Sequence, residues 1–215
     1  MKVSEKSLEL NVGAELLTLM RKQPGMQKAY LRGLTQAEEN QEGVDFFAQL
    51  DPATRVFAFQ FKAPKGRIEL APYRYTLKRE QHSPLFDLAQ LSPRSVFYVF
   101  PFYITPEKLH QYVPNLAQDT WLLDIIQMSP NQVFGQNLTR TIRCEPGTAQ
   151  INPEYRISSL SDGPKRFFSG IPAQEFAAWY DRRREFQLES KMRRNPWLVR
   201  GLRVALVTPD QAGAQ

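Results

Sequence analysis

The sequence predicts an α/β (α+β) fold, a central mixed β-sheet flanked by helices. Three observations predict it. RVFAFQFKA at 55–63 and SVFYVFPFYI at 95–104 are dense in aromatic and β-branched residues, the composition of buried strands. SEKSLELNVGAELLTLMRK at 4–22 repeats Leu8, Val12, Leu16 and Leu19 at helical spacing. Segments of both kinds are mixed along one chain of 215 residues, enough for one substantial domain with its own core.

The elements follow in order. Ser4 is the expected N-cap of the first helix, with Ser7 the alternative, and Lys22-Gln23-Pro24-Gly25 ends it. TQAEENQEG at 35–43 is a polar loop. VDFFAQL at 44–50 and RVFAFQFKA at 55–63 flank the turn residues DPAT, so they should pair as an antiparallel hairpin. Pro64, Lys65 and Gly66 close it, and a further strand is expected within 67–78. SPLFDLAQL at 83–91 is a short helix with Ser83 as N-cap and Pro84 in the first turn. A buried strand at 95–104, interrupted by Pro101, precedes a helix at 106–113. TWLLDIIQM at 120–128 is apolar and fits either helix or strand. The Pro-, Gly-, Asn- and Ser-rich stretch 129–170 gives no assignable pattern. The longest helix is expected at 172–194, a last strand at 199–208, and PDQAGAQ should fray. Residues 1–115 read as the core, and 116–215 as an elaboration of the same domain that carries a basic helix and the final strand.

Composition excludes several classes. One cysteine, Cys144, rules out a disulfide scaffold or a cysteine-built zinc site, and two histidines argue against a histidine-rich metal centre. No apolar run approaches a membrane span, and MKVSEKSLELN lacks a signal-peptide core, so a soluble cytoplasmic protein is expected. No phosphate-cradling glycine loop and no nucleophile elbow is visible. The net charge of +6 is uneven. Between Tyr180 and Arg203 stand eight basic residues and three acidic ones, a surplus of +5. Arg182, Arg183, Arg184, Lys191, Arg193 and Arg194 thus form a candidate footprint for a nucleic-acid backbone. A solvated helix face balanced by its own acids, or a protein interface built on Phe176, Trp179 and Phe186, is the alternative.

The hairpin carries the chemistry. Alternation puts Phe57, Phe59 and Phe61 on one face of the second strand, and Gln60 and Lys62 on the other. Antiparallel pairing brings Asp45, at the start of the first strand, beside the end of the second. An acid, an amide oxygen and a lysine suit a hard divalent ion and the hydrolysis of a phosphodiester. Asp45 and Gln60 would hold the metal, Mg²⁺ or Mn²⁺, while Lys62 would orient water or offset developing charge. A further acid can come from the first helix. Glu9 falls within its apolar stripe and Glu15 at the stripe's edge, where burial is costly without a partner. A pair with Lys6 or Lys22 is the competing explanation for both. Lys65 and Arg67 follow closely enough to neutralise phosphate, and Tyr73, Arg74 and Tyr75 either stack on or contact nucleic acid or are ordinary strand residues.

A helix with an internal Glu, then Gly43-Val44-Asp45, a turn and a strand ending Gln60-Phe61-Lys62 resembles the PD-(D/E)XK nuclease superfamily. Gln60 stands where the family usually has a second acid, a departure similar to the QxK form of its Mrr-like branch. The resemblance covers about the first hundred residues. It implies a restriction-endonuclease-like core, Mg²⁺ dependence and DNA cleavage, with a place in bacterial anti-phage defence under control of a regulatory or sensor protein. Self-association is left open. Two other functions compete: a catalytically silent nucleic-acid-binding subunit, which Gln60 suggests, and a structural or assembly protein whose basic helix meets an acidic partner. His82 is expected at the surface, Ser83 as a cap, and Cys144 as an inert thiol.

Overall fold

The computed structural model describes residues 2–23, 26–34, 44–49, 55–65, 72–103, 105–144, 150–151, 155–156, 158–159, 171–172, 175–178 and 181–182. Helix α1 (Glu5–Arg21) opens the chain. Ser4 caps it, its hydroxyl accepting the Ser7 N–H at 3.0 Å, which satisfies one of the first-turn donors left without a helical partner. Leu8, Val12, Leu16 and Met20 form the buried stripe. At the far end the Arg21 side chain donates to the Ala29 carbonyl at 2.8 Å, tying the helix to the segment before the first strand.

Among the described residues eleven strands follow: β1 (Tyr30–Gly33), β2 (Phe46–Gln49), β3 (Arg55–Phe61), β4 (Tyr73–Lys78), β5 (Val96–Pro101), β6 (Thr120–Asp124), β7 (Thr139–Cys144), β8 (Gln150–Ile151), β9 (Tyr155–Arg156), β10 (Ser158–Ser159) and β11 (Ile171–Pro172). The central sheet runs β1-β2-β3-β5-β6-β10, with β11 also pairing β3. It is mixed. β3 and β5 are parallel, and the other pairs are antiparallel. Parallel neighbours need a crossover. It consists of β4 and helix α2 (Arg79–Ala89), which lie between β3 and β5 in sequence. A second sheet, β4-β7-β8-β9, stands beside the first.

Both faces of the central sheet are covered, which is why β3 is buried from Val56 to Phe61 and β5 throughout. On one face the stripe of α1 packs on Phe57, Phe59, Phe61, Phe97 and Val99. On the other, α2 brings Leu85, Leu88 and His82, and β4 brings Tyr75, whose ring lies 4.7 Å from Phe100 and whose hydroxyl donates to the Pro101 carbonyl at 3.0 Å. Each large apolar side chain sequestered this way contributes on the order of 1.5–3 kcal/mol.

Several expectations are corrected. α2 begins at Arg79, four residues before the expected start, so Ser83 is not its cap and Pro84 lies inside it. Strand β4 runs directly into this helix, and its start is secured from a distance. The Arg79 N–H donates to the Leu138 carbonyl at 2.8 Å, and its guanidinium to the Gly135 carbonyl at 2.7 Å and to Asn131 Oδ1 at 3.1 Å. No local signal marks such a start. The expected helix at 106–113 forms as α3 (Pro106–Tyr112). The segment 120–128 resolves into β6 and a 3₁₀ turn at Ile125–Gln127. Helix α4 (Pro130–Phe134) and β7–β10 occupy the unassigned middle. Strand β1 had no counterpart in the pattern reading. Of the expected helix at 172–194, residues 175–178 and 181–182 are helical. The rest of it, the 35–43 loop, the 199–208 strand and the tail lie outside the described residues.

The chain divides into two compact units, Met1–Phe176 and Ala177–Gln215. Both sheets, with α1 to α4, belong to the first. The Phe176 ring meets Phe47 edge-on at 4.9 Å within that unit. Among the described residues no helix is long and apolar enough to cross a membrane.

Candidate functional site

The β2–β3 register places Phe46 opposite Phe59, so Asp45, just ahead of β2, falls opposite Gln60. The Asp45 N–H donates to the Phe59 carbonyl at 3.1 Å and extends the ladder by one bond. Its carboxylate then accepts from Gln60 Nε2 at 3.0 and 2.9 Å and from the Phe61 N–H. The same Nε2 donates to the Phe61 carbonyl at 3.1 Å. Lys62 continues past β3, its backbone N–H on the Val99 carbonyl at 3.0 Å and its ammonium 3.4 Å from Gln81 Oε1 on α2. Asp45, Gln60 and Lys62 therefore converge at the C-terminal end of β3.

They open into a cleft of about 510 Å³. The first turns of α1 form one wall with Glu5, Lys6 and Glu9. Thr76 and Lys78 of β4 and Gln81 of α2 form the opposite wall, with Lys65 beside them. Glu9 is 8% exposed, and Lys6 reaches its Oε1 at 2.7 Å. The pair expected as the competing explanation for Glu9 is thus present, at the edge of the cleft.

The electrostatics of the cleft are dominated by burial. Loss of water pushes the Asp45 carboxyl up to about 7, against the opposing pull of the Lys62 charge and the Phe61 N–H, while Glu5 and Glu9 push it further up. Burial also lowers Lys62, and the charges of Glu5 and Asp45 counteract that. An acid raised and a lysine lowered in one cleft form the kind of perturbed pair that gathers at functional sites.

Glu15 goes elsewhere. Its carboxylate accepts the Leu116 N–H at 2.7 Å and the Ala117 N–H at 3.1 Å, fastening α1 to the turn after α3. It does not line the cleft. Arg182 is exposed, whereas Arg67, Arg183, Arg184, Lys191, Arg193 and Arg194 lie outside the described residues, as does Gly43. Glu5 was missed by the sequence reading although it sits four residues before Glu9 on the same helix face. Its Oε1 accepts the Ala63 N–H at 3.2 Å, so it meets the chain directly after Lys62. Lys2, Lys6 and Lys78, which also line the cleft, carried no motif.

His82 is fully buried, contrary to the surface expectation. One ring nitrogen lies 2.7 Å from the Met128 carbonyl, which can only accept, so Nε2 carries the proton and Nδ1 accepts from the Tyr98 hydroxyl at 2.9 Å. Burial holds the imidazole below its usual 6.5. The unfolded chain therefore takes up this proton first, and stability is full above 6.5 and declines as pH falls below it. Melting temperatures recorded across that range should drop on the acid side, with a weaker drop in His82→Gln. An identical drop in the variant would assign the effect to other groups. Cys144 is buried and free of disulfide.

No protein-family model matches the chain, and comparison with characterised proteins and with solved structures found no match.

Proposed function

We propose that the chain is a metal-dependent nuclease of the PD-(D/E)XK type, hydrolysing phosphodiester bonds in DNA. The observation that carries this reading is the convergence of Asp45, Gln60 and Lys62 at the end of β3, in a cleft that also holds Glu9. Among the described residues no group of three His, Cys, Asp or Glu side chains stands close enough to hold a metal alone. The donors present are nevertheless oxygen: the Asp45 carboxylate, the Gln60 amide oxygen after a half-turn of its terminal bond, and the Phe61 carbonyl. Mg²⁺ suits such a set because it takes few protein oxygens and keeps several waters. A desolvated carboxylate with a raised pKa also gains most from a neighbouring cation.

When bound, the ion supplies Lewis-acid stabilisation of phosphate charge and a more acidic water. The chain's own groups do the rest. Asp45 anchors the site to the sheet through the Phe61 N–H. Gln81 holds the Lys62 ammonium in the cleft, where it can donate to a phosphate oxygen or to the attacking water. The lysines around the rim favour an anionic substrate.

The test is cleavage of supercoiled and linear DNA with Mg²⁺, Mn²⁺ or chelator. Asp45→Ala and Lys62→Ala should each lose on the order of 100-fold or more in rate. Metal-independent nicking, or nicking that survives in both variants, would sink the proposal. One observation favours a second reading, a silent nucleic-acid-binding subunit: Gln60 turns its amide nitrogen to Asp45, and Lys6 already pairs with Glu9. That reading expects salt-sensitive DNA binding with no cleavage by the native chain.

A further inference from the structure

A second cavity, of about 380 Å³, adjoins the cleft at the start of α1. Helical spacing explains how one helix serves both. Ser4, Ser7 and Asn11 share a face of α1, and that face walls the second cavity. Glu5 and Glu9 project from a different face and wall the cleft. Lys2 and Val3, which precede the helix, line both, so the two spaces meet around its start. The opposite wall is the face of α3 that carries Pro106, Leu109 and His110, continued by Val113.

The two walls differ in chemistry. On α3, Pro106, Leu109 and Val113 are apolar, and Leu109 is buried. On α1 the lining side chains are polar, and hydrogen bonds hold them. Asn11 Nδ2 donates to the Ser7 carbonyl at 2.8 Å, which leaves Oδ1 as an acceptor. The Ser4 and Ser7 hydroxyls lie 2.8 Å apart, and one donates to the other. Whichever donates, the second hydroxyl hydrogen remains for a ligand. A matching ligand has an apolar surface for one wall and a hydrogen-bonding edge for the other. A nucleobase has both, since its faces are apolar and its edge sets donors beside acceptors. An aliphatic chain would cover the hydroxyls and the amide without satisfying them. The volume is that of natural small-ligand sites. Continuity with the cleft favours a base over other flat rings, because a base comes attached to a phosphodiester.

We infer that the cavity between α1 and α3 is a nucleobase subsite, which holds one unpaired base of a strand whose phosphates lie at Lys2 and in the cleft. The subsite rests on the reading of the cleft as a phosphodiester site. It narrows the substrate to single-stranded or locally opened nucleic acid, because a base reaches the cavity only outside its stack.

The experiment compares two labelled single strands of one length, an oligonucleotide with bases and one built of abasic deoxyribose phosphates. Each is titrated with the full chain in chelator at fixed salt and followed by fluorescence anisotropy. The strands carry the same phosphates, so the ratio of their affinities isolates the bases. Ser7→Ala/Asn11→Ala removes two polar groups of the α1 wall and keeps the Ser4 cap. Alanine suits both helical positions, so the melting temperature should hold or rise. The native chain should prefer the strand with bases. The double variant should lose about tenfold of that preference, with its affinity for the abasic strand unchanged. A fully paired duplex should bind native chain and variant alike. An equal ratio in native chain and variant would overturn the subsite, and so would a native chain that binds neither strand. A lowered ratio in a chain that shows no cleavage with Mg²⁺ would keep the subsite and remove the nuclease. Cleavage with an unaltered ratio would do the reverse.

Discussion

Above pH 7 the Asp45→Asn variant is expected to melt about 2–8 °C higher than the native chain and to lose all cleavage. The physical reason is the cost of an ionised carboxylate at the end of β3. Its folded pKa stands at about 7, against 3.8 for the free side chain. The group therefore favours folding fully below 3.8, and that contribution disappears as pH rises through about 7. At about 1.36 kcal/mol per unit, the whole shift corresponds to about 4 kcal/mol as an upper bound. Asparagine keeps an acceptor for the Phe61 N–H but loses the charge-assisted bonds, which leaves a net gain of about 1–2 kcal/mol. Melting curves across this pH range provide the check, and a variant less stable than the native chain above pH 7 would refute the argument. Titrated Mg²⁺ adds a readout that needs no catalysis. On the proposed reading it should raise the melting temperature of the native chain and leave Asp45→Asn unmoved, because the variant lacks the carboxylate proposed to hold the ion.

Glu15→Ala should have the opposite profile. The native carboxylate accepts two backbone N–H groups, Leu116 and Ala117, about a hundred residues away in sequence. Its removal leaves both donors without that acceptor in a part-buried turn, at a cost of about 2–3 kcal/mol. A fall of about 4–12 °C in melting temperature is expected. Below that melting point the variant should bind and cleave at native rates, since Glu15 does not line the cleft. Glu9→Ala should behave in the reverse way, with activity impaired and stability little changed. A catalytic defect in Glu15→Ala at unchanged stability would show that the turn after α3 shapes the cleft.

These variants separate two acids that sequence could not. Glu9 and Glu15 lie on one amphipathic helix, and both fall in or beside its apolar stripe. Helical periodicity states which residues face inward. It does not state what waits there. For Glu9 it is Lys6 and the cleft, and for Glu15 a pair of backbone donors delivered by a turn after α3. Glu5 was overlooked for the same reason. It precedes the apolar stripe, and only the return of β3 brings the Ala63 N–H to it.

What the sequence determined by itself was the local and the periodic. The cap and stripe of α1 are settled within a few residues of chain. The β2–β3 hairpin follows from two strand-like runs around a turn, and its antiparallel register carries Asp45 to Gln60 without outside help. The mixed sheet with helices on its faces follows from the succession of such segments. The tertiary structure decided the rest. The start of α2 is held by Leu138, Gly135 and Asn131 rather than by a local cap, so no nearby residue could announce it. The second sheet joins β4 to β7 across about sixty intervening residues, and its short outer strands have too few residues to show a period. Arg74 and Arg143 are isolated charges in the sequence, and they become a paired surface because a β-ladder fixes which residues stand opposite one another.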